Sequence, residues 1–171
     1  QGAMSTLLHD TLKRLNAGLG FEEEEYHKAV AKSFLVSADN AHAVHPNHKE
    51  LTDDENRTFM NEGIVIKEAA NQKYTSDAFS QAVFKKICAL VDVPVQHFAN
   101  RSNMQGGSTL GNLSNTQVSL HAVDIGLPQL AMHSNYETAG AKDPAYMVKA
   151  LTKYYNTNIK IDGASKISVE E

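Results

Sequence analysis

Tryptophan is absent from this chain of 171 residues, proline occurs four times, and there is one cysteine, Cys88. A lone thiol excludes an internal disulfide, so the fold rests on apolar burial, for which a chain of this length suffices. Cys88 falls among Val83, Phe84, Ile87 and Leu90 at helical spacing and reads as a small buried hydrophobe in a reducing compartment, not as a nucleophile. No apolar run approaches the roughly 20 residues a bilayer-spanning helix needs, and no signal peptide is visible. Sixteen basic residues stand against twenty acidic ones, with no basic stripe interleaved with aromatics. That balance predicts neither a nucleic-acid nor a membrane partner. What remains is a single-domain, cytoplasmic α/β protein.

The apolar pattern supplies the elements. Ser5 reads as an N-cap, with Leu8, Leu12 and Leu15 recurring at helical spacing until Gly18 and Gly20. A second helix follows over 21–31, its run Glu22 to Glu25 lying where the helix dipole favours negative charge. Consecutive helical residues point in different directions, so this run is a solvated face and not a metal cluster. Strands are predicted at 34–37, 64–67, 95–98 and 122–125, with a polar loop running to about Gly63. Further helices are predicted at 76–91, 108–117 and 143–155, the last opened by Pro144. The tail 156–171 is polar and reads as part strand or frayed.

Two of these strands run into residues that carry chemistry. After Phe34-Leu35-Val36 comes 37–47, SADNAHAVHPN, whose proline forbids a helix; after Val123-Asp124-Ile125 comes a segment ending in Leu130-Ala131-Met132-His133-Ser134. An Asp and a His delivered past strand ends suit a borderline divalent metal such as zinc. Strand ends of an α/β sheet are also where ligands gather. On residues alone, Asp39 is equally a turn cap and His133 equally a packed imidazole. His42, His45 and His48 recur every three residues, but Pro46 and Asn47 make their setting an extended loop. His45 reads as orienting that loop and His48 as surface. Gly106-Gly107-Ser108-Thr109-Leu110-Gly111 lacks the lysine and spacing of a P-loop and could be a loop-to-helix cap. Lys67, closing Ile64-Val65-Ile66, would ordinarily be a solvated strand-end cation.

Taken together and in order, SADNAHAVHPN, GGSTLG and DIGLPQLAMHS (124–134) resemble the aspartyl aminopeptidase family of dinuclear zinc exopeptidases, over nearly the whole chain to about Tyr155. The resemblance implies a three-layer α/β sandwich, a mixed sheet flanked by helices, with 1–171 as the C-terminal part of the catalytic domain. It implies that Asp39 and His133 each ligate a different ion of a zinc pair and that His42 lines the pocket and stabilises the tetrahedral intermediate. Lys67 would meet the acidic side chain of the substrate, and Gly107, Ser108 and Thr109 would approach the bound peptide. Where family members often carry an arginine after the late histidine, this chain reads Asn135-Tyr136-Glu137.

The family's glutamate pair, bridging aspartate and earlier histidine are expected upstream. Gln1-Gly2-Ala3-Met4 could be a tag-removal scar, but it continues in family register into Ser5, which favours a native start just past those glutamates. The parent is thus expected to be a homo-oligomeric zinc aminopeptidase that removes Asp or Glu from peptide N-termini. The 171-residue chain alone is expected to be inactive and to bind zinc weakly or not at all. The alternatives are a non-catalytic module without metal, and a related metallo-aminopeptidase of different specificity.

Overall fold

A computed structural model of the chain describes residues 2–163 and 166–170. Gln1, on which the reading of the start turns, and residues 164, 165 and 171 of the tail lie outside the described residues. Helix α1, Leu7–Gly18, begins two residues after the expected cap, because the Ser5 hydroxyl donates to the Gly2 carbonyl at 2.7 Å. It buries no residue, and with α2, Glu23–Ala31, it frames an apolar groove containing Leu8, Leu12, Leu15 and Phe21.

The chain then enters the sheet at β1, Phe34–Ala38. Two short pieces interrupt the expected polar loop: β2, Ala41–His42, and a 3₁₀ turn, Lys49–Leu51. Strand β3, Ile64–Glu68, precedes α3, Ala78–Ala89, whose start is fixed by a capping box. There the Asp77 carboxylate accepts from the Ser80 amide at 2.7 Å and the Ser80 hydroxyl accepts from the Asp77 amide at 3.0 Å. Next come β4, Val95–Ala99, α4, Leu110–Asn115, and β5, His121–Gly126. Strands β6, Pro128–Leu130, and β7, Thr138–Ala139, precede α5, Asp143–Tyr155. The tail forms an antiparallel hairpin, β8, Asn158–Asp162, and β9, Lys166–Glu170, pairing Ile161 with Ile167 and Ile159 with Val169. Ile167 and Val169 of β9 lie against Phe79, Ala82 and Val83 of α3.

The main sheet runs β1-β5-β3-β4 and is mixed, with β1 parallel to β5, β3 parallel to β4, and β3 antiparallel to β5. Alternation along the strands sorts its two faces. Ile64, Ile66, Val123 and Ile125 pack with Phe84 and Cys88 of α3 and Ala150 of α5 to form the principal core. Burial drives the Cys88 thiol up to about 12, which leaves it inert. The other face carries Ser37, Val65, Lys67 and Asp124, with α4 laid over Ser37 and Asp124 at Gly111. A Cβ at position 111 would lie 2.8 Å from both the Asp124 carboxylate and the Ser37 side chain, so only glycine lets the helix approach this closely. Helices therefore flank the sheet on both faces, as the α/β pattern predicts. Among the described residues no helix is long and apolar enough to cross a membrane.

Candidate active site

Parallel pairing carries two loops to one edge of the sheet. Strand β1 runs beside β5 with Ser37 opposite Asp124 and Ala38 opposite Ile125, so Asp39 emerges directly beyond their shared carboxyl edge. Past β5 the chain continues into β6, which pairs in parallel with β2, Ala41 opposite Pro128 and His42 opposite Gln129. His133 follows three residues after β6. Asp39, His42 and His133 are all exposed along this edge. The two histidines lie close enough for their charges to interact.

The backbone under Asp39 is turned inward. The Asp39 amide donates to the Ile125 carbonyl at 2.9 Å and the Ala41 amide to the Leu127 carbonyl at 2.9 Å. A Cβ at Gly126 would intrude on the Asp39 carbonyl oxygen. The Asn40 side-chain amide donates to the Gln129 side-chain oxygen, tying this loop to β6. Lys67, only 2% exposed, lies beneath. Its Nζ donates to the Asp39 carbonyl at 2.9 Å and the Asn40 carbonyl at 3.3 Å and sits 5.3 Å from the centre of the Tyr74 ring. Burial lowers the Lys67 pKa, opposed by the carboxylates of Asp39 and Asp124. Within this chain the ammonium faces the two carbonyls of the loop. The sequence hid this because β3 runs antiparallel to β5, so Lys67 does not share the carboxyl edge of β1 and β5.

The loop of His133 is held differently. Ala131 (φ 54°) and His133 (φ 68°) are both left-handed, unusual for residues with a side chain. The His133 amide donates to the Glu137 carboxylate at 2.7 Å.

His42 packs near Phe98, ring centres 6.4 Å apart, and faces a cavity of about 390 Å³ that also includes His45, His48, Arg101 and Met132. Partial removal of its ring from water lowers the His42 pKa, and repulsion from His133 and Lys67 lowers it further. Arg101 is fixed by a hydrogen bond to the Glu50 carbonyl. The His45 ring accepts from the Asn47 amide at 3.2 Å, the loop-orienting role its position suggests.

The 106–111 segment divides. Gly107 and Ser108 are exposed, the Ser108 hydroxyl donating to Asn112 Oδ1 at 2.8 Å. Thr109 is 4% exposed and its hydroxyl donates to the Asp124 carboxylate at 2.8 Å, which directs it inward. The fully buried Asp124 also accepts from the Thr75 amide at 2.6 Å and the Thr75 hydroxyl at 2.9 Å. That use of Thr109 leaves α4 without a side-chain cap and shorter than expected. Asp124 inside an apolar strand was the signal for this network; Tyr74, Glu137 and Arg101 gave none.

Asp39 and His133 are donors of the types zinc takes. Among the described residues, however, no three His, Cys, Asp or Glu side chains cluster to hold a metal ion. A catalytic zinc takes three protein ligands, so these residues by themselves do not fit a complete sphere.

A mixed sheet flanked by helices, with carboxylate and imidazole loops at one edge, defines an α/β domain with a candidate hydrolytic edge. The model of the aminopeptidase I zinc metalloprotease (M18) family matches residues 1–155, and the chain belongs to that family. It is 48% identical over 156 residues to the probable M18 family aminopeptidase 2 of Clostridium novyi (strain NT), covering 91% of this chain and 36% of that relative. The corresponding protein of Stutzerimonas stutzeri (strain A1501) is 42% identical over 156 residues, with 91% and 35% covered. The fold superposes on a chain of the Ape4 and Nbr1 complex with a TM-score of 0.87 at 41% identity, covering 91% of this chain and 29% of that one. Against the S. cerevisiae mApe1 dodecamer the TM-score is 0.77 at 26% identity, with 91% and 34% covered. The chain thus spans about a third of the length of the curated relatives it matches. The hairpin β8–β9 lies beyond the residues the family model matches.

Proposed function

We propose that these residues serve in a zinc-dependent aminopeptidase that removes acidic N-terminal residues from peptides, with Asp39 and His133 each ligating one ion of a zinc pair. The observation that carries the reading is the parallel pairing of β1 with β5 and β2 with β6, which supports a shared edge for the two loops. The other ligands and the general base come from residues outside these 171. Zinc, when bound, activates water and polarises the peptide carbonyl.

This chain's own residues hold and orient. His42, its pKa depressed, stays neutral at pH 7 and can donate one ring N–H to the substrate carbonyl oxygen. Gly107 and Ser108 offer a backbone amide and a hydroxyl to the peptide. Arg101, which lines the cavity beside His42, adds a cation there that would favour a carboxylate side chain. The oligomeric form of the mApe1 relative supports a homo-oligomer for the whole protein. The buried, inert Cys88 suits a cytoplasmic setting.

The test is a panel of peptides with Asp, Glu, Ala or Leu at the N-terminus, assayed on the whole protein with zinc and after chelation. The reading expects zinc-dependent release with kcat/KM at least about tenfold higher for Asp and Glu, the scale of one charge-assisted contact. Equal rates on Ala and Leu would assign a metallo-aminopeptidase of different specificity. No release from any peptide would leave a non-catalytic module.

A further inference from the structure

We propose that Lys73 and Asp124 are positioning residues that hold the 106–109 segment at its two ends and so present Gly107 and Ser108, between the anchors, to the peptide backbone. The inference rests on the reading of these 171 residues as part of an aminopeptidase. At the first end the Lys73 Nζ donates to the Gly106 carbonyl at 2.7 Å. Gly106 lies so close to Asn100 that a Cβ there would collide with the Asn100 side-chain amide. At the other end the Thr109 hydroxyl donates to the Asp124 carboxylate at 2.8 Å. The same carboxylate accepts from the Thr75 amide and hydroxyl, and the Asp124 amide donates to the Ser76 hydroxyl at 2.9 Å. Lys73, Thr75 and Ser76 all lie between β3 and α3, so one short stretch of chain secures both anchors. Between the anchors Gly107 and Ser108 are exposed, and a Cβ on Gly107 would meet nothing within 4 Å.

Two adjacent glycines give the backbone its greatest conformational freedom, and an unanchored pair would lose that freedom only when a ligand bound. Bonds at both ends remove it beforehand, which lowers the ordering cost of binding. Each anchor uses a charged partner, and charge-assisted bonds are roughly twice as strong as neutral ones. A carboxylate suits the inner anchor because it only accepts, and the Thr75 amide, the Thr75 hydroxyl and the Thr109 hydroxyl all donate to it. Along β5, Asp124 lies two residues before Gly126 and on the same face, and Gly126 makes room for the Asp39 carbonyl. The anchored segment is thereby tied to the strand that also supports the Asp39 loop.

Nuclear magnetic relaxation of the backbone amides in the 171-residue chain tests the anchoring without activity. The Gly107 and Ser108 amides should have order parameters of about 0.85 in the wild type, as in rigid backbone, and below about 0.6 in Lys73→Met and in Thr109→Val, with those of α3 unchanged. Low values in the wild type, or wild-type values in either variant, would overturn the proposal. In the whole protein, Lys73→Met should raise KM about tenfold on Asp- and Ala-terminal peptides alike, because the segment meets backbone common to both. Zinc content should stay unchanged, and Lys73→Arg should restore part of the loss. Kinetics equal to the wild type, or a loss in kcat that follows a loss of zinc, would overturn the proposal. A loss confined to the acidic peptide would make Lys73 a contact of the substrate side chain and overturn it as well. A whole protein inactive on every peptide would refute the aminopeptidase reading, while the order parameters still decide whether the segment is held.

Discussion

Asp39 follows β1 of the four-stranded sheet and His133 follows β6 of the small β2-β6-β7 sheet that continues it, yet the backbone that delivers them is held by opposite means. The Asp39 loop is fixed from within: its carbonyls rest on a buried ammonium, its amides on β5 and the residues following it, and a glycine makes room beneath. The His133 loop is fixed from without, by two left-handed residues and one exposed carboxylate. Inward bonds in a dry setting are costly to break, because a buried polar group that loses its partner keeps its full desolvation penalty. Surface bonds are exchanged for water. The first loop is therefore the rigid member of the pair and the second the adjustable one.

That contrast is broken most directly at Gly126. A Cβ there collides with the Asp39 carbonyl, so Gly126→Ala should destabilise the chain by about 3 kcal/mol, a fall in Tm of roughly 6–12 °C in a calorimetric scan. An unchanged Tm would mean that the carbonyl is not turned inward. Next in size is Thr109→Val, which removes a buried donor to Asp124 and should cost about 1–3 kcal/mol in denaturant unfolding, whereas Ser108→Ala on the exposed side should stay within about 0.5 kcal/mol. Equal costs would erase the division of that segment into inner and outer residues.

The outer loop should respond weakly and in the other direction. Ala131→Gly relieves a left-handed residue, worth about 1–2 kcal/mol, against roughly 0.5–1 kcal/mol of added chain entropy. A net gain of about 0.5 kcal/mol in urea unfolding is expected; a clear loss would show that the loop is not strained. The smallest effect is a pH dependence. The folded-state pKa of His42 lies below its ordinary 6.5, so the unfolded chain binds the proton more readily. Stability is then full above about pH 7 and declines as pH falls through 6.5, and His42→Gln should flatten part of that slope. His97, also lowered by burial, retains the rest.

Much of this was legible in the sequence. The bounds of α5 fell where periodicity and Pro144 put them, and the strands at 34, 64, 95 and 122 each extended by no more than a residue at either end. Strands β2, β6 and β7 were missed because two or three residues carry no period, yet β2 and β6 are the pair that joins the two site loops. The polar tail concealed a hairpin whose alternation of Ile159, Ile161, Ile167 and Val169 was visible but short. Strand direction was the deepest loss. Composition cannot state that β3 runs against β5, and that single fact keeps Lys67 off the carboxyl edge of β1 and β5. The inward hydroxyl of Thr109 was hidden as well, since only the packing of α4 over Asp124 distinguishes it from Ser108.

The central claim is that the two unlike loops serve one metal site, and zinc stoichiometry in the whole protein tests it most directly. Elemental analysis of the purified protein, wild type and the variants Asp39→Ala and His133→Ala, should find a zinc pair per chain in the wild type. Each variant should have about one ion fewer or a markedly weakened one, with folding preserved by circular dichroism because both side chains are exposed. Full zinc content in both folded variants would contradict the assignment of Asp39 and His133 as ligands.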